Sequence, residues 1–187
     1  MSTKDIIDDV GFITFTREFK YLEFIISCDL DDNPDISLRI KKANQAMGAL
    51  KIFWDSEHVD ISAKVQIYLV IPINLILWGC QTWAVTKVVT KKLEVFHIRC
   101  LGRILKIRWD DVRELKIRNS LVRKNFNNIG TIANIIFKRR LIFIGEIIRM
   151  PCKGVPARII SAFQIEKRPL GRPNITVRHS FISDIEK

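Results

Sequence analysis

KLEVFHIRCLGRILKIRW, residues 92–109, decides the fold. At 100° per residue, Leu93, Phe96, Cys100, Ile104 and Ile107 gather on one face, and Ile98, Leu101 and Leu105 widen it into a broad apolar arc. Lys92, Arg99, Arg103 and Lys106 fall together beside the arc as a narrow cationic stripe. A helix this apolar has to pack against other helices, yet one edge is held out as a row of positive charge. The rest of the chain is expected to bury the arc and to add to the stripe.

Composition sharpens the second half of that expectation. The chain has 187 residues, nearly half of them hydrophobic, and a formal charge of +11. That length suits one domain with an appendage. Residues 1–90 carry nine Lys and Arg against twelve Asp and Glu, a net of −3, whereas residues 91–187 carry 22 against eight, a net of +14. An asymmetry of that size points to a polyanionic partner, either nucleic acid or an acidic membrane surface. The plainer alternative is a basic surface that keeps the chain soluble.

Metal and disulfide chemistry find little support. Cys28, Cys80, Cys100 and Cys152 include no CxxC pair, and His58, His97 and His179 are equally scattered, so the close ligand spacing of zinc sites is missing. Residues 1–9 are polar and acidic, unlike a secretory signal, which favours a reducing, intracellular setting in which Cys80 and Cys100 are small core residues. Residues 65–85, VQIYLVIPINLILWGCQTWAV, are long enough to span a bilayer. Gln66, Pro72, Asn74, Gly79, Gln81 and Thr82 interrupt them, and Pro72 removes a helix hydrogen bond. A buried central helix is the better reading and a membrane anchor the alternative.

Taken in order, the aromatic and β-branched runs from Gly11 to Ser27 predict a hairpin. Asn33-Pro34 predicts the cap and first turn of a helix with Ile36, Ile40, Ala43, Met47, Leu50 and Trp54 on one side and Arg39, Lys41, Lys42 and Lys51 on the others. Ser62 opens the apolar helix that runs through Pro72 to Trp83, with Trp78 and Trp83 as large core residues. A link around residues 86–90 leads to the helix of residues 92–109. A basic helix follows over residues 111–125, with acid in its first turn, then a loop at Asn127, Asn128 and Gly130 and a long helix over residues 132–150. In that last helix Arg140 projects into the apolar sector, either snorkelling along the bundle edge or meeting a phosphate backbone. Residues 167–173, KRPLGRP, exclude regular structure and suit equally an extended backbone that follows phosphates and a disordered tail, two readings that are compatible.

Several ordered blocks resemble the region downstream of the catalytic palm in non-LTR (LINE-type) retrotransposon reverse transcriptases. Phe19-Lys20-Tyr21-Leu22 is similar to the family's FKYLG hairpin. Arg39-Ile40-Lys41-Lys42-Ala43 and Ala49-Leu50 follow. Lys64, Tyr68 and Trp78-Gly79-Cys80-Gln81-Thr82-Trp83 resemble a lysine, a tyrosine and YG-x-E-x-W. LEVFHIRCL at residues 93–101 resembles LExFHxRCLR, and Arg139-Arg140-Leu141, Gly145, Arg149-Met150-Pro151 and Gly171-Arg172-Pro173 complete the series. Glu23 stands where the family has glycine, Glu146 where it has histidine, and Val177 and Arg178 where a tryptophan follows GRP. The family's metal-binding aspartates have no counterpart; Asp8-Asp9 is an adjacent pair, whereas a two-metal palm draws its carboxylates from separate points.

The resemblance implies a thumb and post-palm fragment, whose palm is separate or missing, that grips template–primer backbone without performing chemistry. No Ser/His/Asp set, phosphate loop or metal-spaced carboxylate pair argues for an enzyme acting alone, and no cofactor, metal or small-molecule substrate is expected. The expected architecture is mainly α: an acidic terminus and β-hairpin in residues 1–30, a helical bundle in residues 31–150, and an irregular basic tail in residues 151–187. The candidate nucleic-acid contacts are Lys92, Arg99, Arg103, Lys106, Arg108, Arg139, Arg140, Arg149, Arg168 and Arg172. The partner would be RNA, DNA or their hybrid; a translated retroelement relic without activity is the remaining alternative.

Overall fold

The computed structural model describes residues 6–8, 11–13, 16–29, 31–151, 154, 155, 158 and 182. It is mainly helical with antiparallel β structure at the N-terminal end. Strands β1 (Ile6–Asp8) and β2 (Gly11–Ile13) form one pair, and β3 (Glu18–Tyr21) and β4 (Phe24–Ser27) another. The run from Phe19 to Ser27 is therefore a hairpin in itself, with Phe19 opposite Ile26 and Tyr21 opposite Phe24. Its two turn residues, Leu22 and Glu23, have φ of 45° and 68°. That is the conformation a tight two-residue hairpin requires. Lys20 and Lys42 both pair with the Glu23 carboxylate and hold it at a pKa of about 2.

Helix α1 (Asn33–Ala49) begins one residue earlier than expected, with Asp32 at the position before its first turn but without a side-chain cap, and with Pro34 in the first turn. After a break at Leu50 the chain makes the short helix α2 (Lys51–Asp55), closed by buried Lys64, whose Nζ donates to the carbonyls of Trp54 and Ser56 at 2.8 and 2.7 Å. Helix α3 (Ile61–Tyr68) starts at Asp60, whose carboxylate accepts the Ser62 N–H at 2.8 Å.

The single apolar helix expected over this region is subdivided. Pro72 has no N–H to give the preceding turn and its ring crowds it, so residues Leu69–Ile73 open into one wide π turn. The short helix α4 (Asn74–Ile76) follows, Gly79 turns the chain at φ 71°, and a 3-10 turn spans Cys80–Thr82. Trp83 is buried as expected, but Trp78 is exposed. No helix among the described residues is long and apolar enough to cross a membrane.

Helix α5 (Lys87–Ile104) begins inside the stretch expected to be a link, because the Thr86 hydroxyl accepts the Val89 N–H and caps it. It ends with the Lys106 N–H on the Arg103 carbonyl and the Ile107 N–H on the Gly102 carbonyl, with Lys106 at φ 56°. This double bond pattern usually places glycine where Lys106 stands. The basic helix expected over residues 111–125 is two helices, α6 (Trp109–Glu114) and α7 (Asn119–Asn125), separated at Lys116 with φ 48°. The break lets Ile117, Val122 and Phe126 reach the core. Helix α8 (Ile132–Arg149) is capped by the Thr131 hydroxyl and stops before Pro151. α1 packs on the π turn, α4 and α5, and α5 packs on α7 and α8. Cys80 and Cys100 are both buried, and burial pushes their thiols up to about 11 and about 12.

Candidate nucleic-acid interface

The polar residues of α5 divide between two environments. Toward the core, Glu94 and His97 organise a network that is fully buried at His97 and partly buried at Glu94. The Tyr68 hydroxyl lies 2.8 Å from His97 Nδ1, and His97 Nε2 lies 3.2 Å from the Gly130 carbonyl oxygen. A carbonyl only accepts, so Nε2 carries the proton and Nδ1 accepts from Tyr68. Glu94 accepts the Ile132 N–H and an Arg123 guanidinium N–H, each at 2.8 Å. One carboxylate thus satisfies the first turn of α8 and ties α7 to α5. Burial pushes the His97 pKa below its usual 6.5, with Arg123 acting in the same direction and Glu94 and the Gly130 carbonyl opposing. Burial likewise keeps the Tyr68 phenol protonated far into the alkaline range.

The sign of the pH dependence follows from that shift. An unfolded chain protonates this imidazole below about 6.5, whereas the folded chain resists until a lower pH. The contribution of His97 to stability is expected to be fully present above 6.5 and to be lost as pH falls below that value toward the folded-state pKa. Urea unfolding from pH 7.5 to 5 should show this decline. His97→Gln, which keeps an acceptor and a donor, should flatten that part of the curve; an unchanged curve in the variant would contradict the assignment.

On the solvent side, α5 runs beside α1 in the same direction. Lys92 Nζ donates to Ser37 Oγ at 2.9 Å, and seven residues further along both helices Arg99 Nη2 donates to Asn44 Oδ1 at 3.1 Å. Two turns of parallel helix are thereby joined by two rungs that contain no acid. Arg99 also lies 5.7 Å from the centre of the Phe96 ring. One turn beyond it, Arg103 has no hydrogen-bond or ion-pair partner among the described residues. Arg99 and Arg103 flank a surface notch of about 310 Å³, floored by Met47 and Cys100 and edged by Asn44. Lys106 closes the row through an ion pair with Glu57 at 3.1 Å, both side chains at least half exposed. Such a pair contributes little and yields readily to another anion.

The other candidate residues are distributed differently. Arg108 is exposed, and its backbone N–H donates to Asp111 at the start of α6. Arg139 is half-buried, bonding the Leu77 carbonyl at 3.2 Å and the Asn74 side chain, so it closes the turn after α4. Arg140 is only 5% exposed and its guanidinium donates to the Trp83 carbonyl at 2.5 Å. Arg140 takes neither of the positions expected for it, the bundle edge or a phosphate backbone: its guanidinium lies inside the fold, which removes it from the outer basic row. Arg149 is exposed near the end of α8, against Gly145. Arg168 and Arg172 lie outside the described residues.

A second buried cluster ties the hairpin to the helices. Asp35 accepts from the Ile25 N–H at 3.3 Å, Arg39 Nε at 2.9 Å and Trp83 Nε1 at 3.2 Å. Arg39 donates on to the Glu23 carbonyl at 3.0 Å and lies 4.8 Å from the centre of the Phe24 ring. Asp32 accepts the Ala84 N–H at 2.7 Å, and burial raises its carboxyl pKa despite that bond. Among the described residues, no group of His, Cys, Asp and Glu could hold a metal ion. No protein-family model, curated protein or solved structure matches the chain.

Sequence reading missed Ser37 and Asn44 as partners of the stripe. Their seven-residue spacing matches that of Lys92 and Arg99, but the signal appears only once α1 and α5 are known to be parallel neighbours. It also missed Asp35 and Arg39 as a buried pair, although their i, i+4 spacing was visible.

Proposed function

We propose that this chain is a nucleic-acid-binding element that grips the phosphate backbone along the seam of α1 and α5, with no chemistry of its own. The observation that carries the proposal is the row Lys92, Arg99 and Arg103. Its partners are neutral side chains or none among the described residues, so its charge remains available to an external polyanion. Phosphate contacts fix position without reading sequence, and the absence of exposed aromatic side chains among the described ones of α1, α2 and α5 agrees with backbone rather than base recognition.

The ordered blocks that resemble LINE-type reverse transcriptases support a more specific version. In that version the helices act as the thumb-like part of an RNA-directed DNA polymerase, and the seam lies against the template–primer. The β3–β4 hairpin, whose Phe19, Tyr21 and Ile26 are exposed, would face the palm. Arg139 and Arg140 have structural duties in this account; Lys106, just past the end of α5, extends the seam.

Contacts from Lys92, Arg99, Arg103 and Lys106 give a slope of about −3.6 in log K against log salt, so affinity for a duplex should fall roughly 150-fold between 50 and 200 mM salt. Duplexes of unrelated sequence should bind within a few-fold of one another. Fluorescence anisotropy across that salt range tests both statements. Salt-independent binding, or strong preference for one sequence, would refute the proposal.

A further inference from the structure

We infer that the notch between Arg99 and Arg103 is a discrete seat for one phosphate group, which rests on the nucleic-acid reading above for its natural ligand but not for its chemistry. The hydrogen-bond inventory is the first argument. Arg99 can only donate, so the Asn44 atom it meets is the amide oxygen, and that acceptor is already engaged. The polar groups left around the notch are the remaining Arg99 N–H groups, the five of Arg103 and the Asn44 amide N–H₂. Apart from the second lone pair of that amide oxygen, these groups are donors, so a ligand that satisfies them must present acceptors and negative charge.

Electrostatics gives the second argument. Arg99 and Arg103 are like charges one helical turn apart, an unfavourable pair on a bare helix surface, and no carboxylate lines the notch. Met47 and Cys100 beneath them are 1% and 4% exposed, so an anion here rests on an apolar floor that strengthens its attraction to both guanidinium groups. The third argument is shape. A carboxylate is satisfied by one planar guanidinium fork, whereas two forks approaching from different points suit the several oxygens of a tetrahedral phosphate. A notch of about 310 Å³ lies at the small end of ligand sites. That suits one phosphate with its hydration water.

The test uses the full chain and inorganic phosphate, titrated against chloride at constant ionic strength, with the Arg99 and Arg103 Nε–H and Asn44 side-chain amide resonances as readout. Saturable shifts of these signals are expected. Arg103→Gln should weaken the apparent affinity about tenfold, the effect of losing one charge-assisted hydrogen bond. Asn44→Asp, which places a carboxylate at the rim, should abolish binding, and Lys124→Gln on α7 should leave it unchanged. A duplex added to the phosphate-loaded protein should displace the phosphate.

Linear, non-saturating shifts, or equal affinity in Arg103→Gln and Lys124→Gln, would overturn the seat even if duplex binding keeps its steep salt dependence. Saturable phosphate binding that a duplex does not displace would support the seat and overturn the placing of nucleic acid on this seam instead.

Discussion

Replacing Asp35 by alanine is expected to destabilise the protein by about 3–5 kcal/mol. The carboxylate joins three parts of the fold: the β4 backbone through Ile25, α1 through Arg39, and the segment after α4 through Trp83. Asp35 and Arg39 are each 3% exposed. Removing the acid leaves a buried guanidinium without its counter-charge and an indole N–H without its acceptor, and the cost comes mainly from those stranded groups. Since domains of this size are stable by only about 5–15 kcal/mol, the variant should unfold at a much lower urea concentration. Asp35→Asn, which keeps an acceptor but no charge, should fall between. A loss below about 1 kcal/mol for the alanine variant would show that the cluster does not hold the hairpin to the helices.

Gly79→Ala is expected to be nearly as damaging, for a steric reason. Gly79 has φ 71°, where a side chain costs about 1–2 kcal/mol. A Cβ there would stand 2.2 Å from Cζ of Phe24, so the ring must move in a site where Arg39 also rests against it. Overpacking of this kind adds about 1–3 kcal/mol. A double-mutant cycle separates the two causes. In a Phe24→Ala background the same substitution should cost only the backbone part, and strict additivity of the two single changes would contradict the contact.

The apolar face of α5 was legible because Leu93, Phe96, Cys100 and Ile104 repeat with helical period, and all four are buried. The same periodicity passes through His97, which is fully buried yet was left off the face because its type is polar. Its partners, Tyr68 and Gly130, are 29 and 33 residues away in sequence, so no local pattern could supply them. Arg39 reads as a residue of the faces away from the apolar side of α1 for a similar reason, its charge, and only packing of Phe24, Asp35 and Trp83 around it buries it.

Breaks in helices were harder still. Pro72 announced a disturbance but not a π turn, and the break at Lys116 between α6 and α7 has no glycine or proline to mark it. It reflects the demand of Ile117, Val122 and Phe126 for the core, a tertiary preference that overrides local propensity. Among the candidate contacts, residues on one helix edge stayed together, as Lys92, Arg99 and Arg103 did. Arg139 and Arg140 were drawn to the backbone carbonyls of Leu77 and Trp83, acceptors that sequence does not display.

The most direct measurement is the salt dependence of duplex binding by the full chain and by the variant Lys92→Gln/Arg99→Gln/Arg103→Gln. These side chains are exposed, so the variant should keep its unfolding free energy to within about 1 kcal/mol. The slope of log K against log salt should fall in magnitude from about 3.6 to about 0.9 as three phosphate contacts are lost. Equal slopes for the two proteins would contradict the assignment of nucleic-acid binding to the α1–α5 seam.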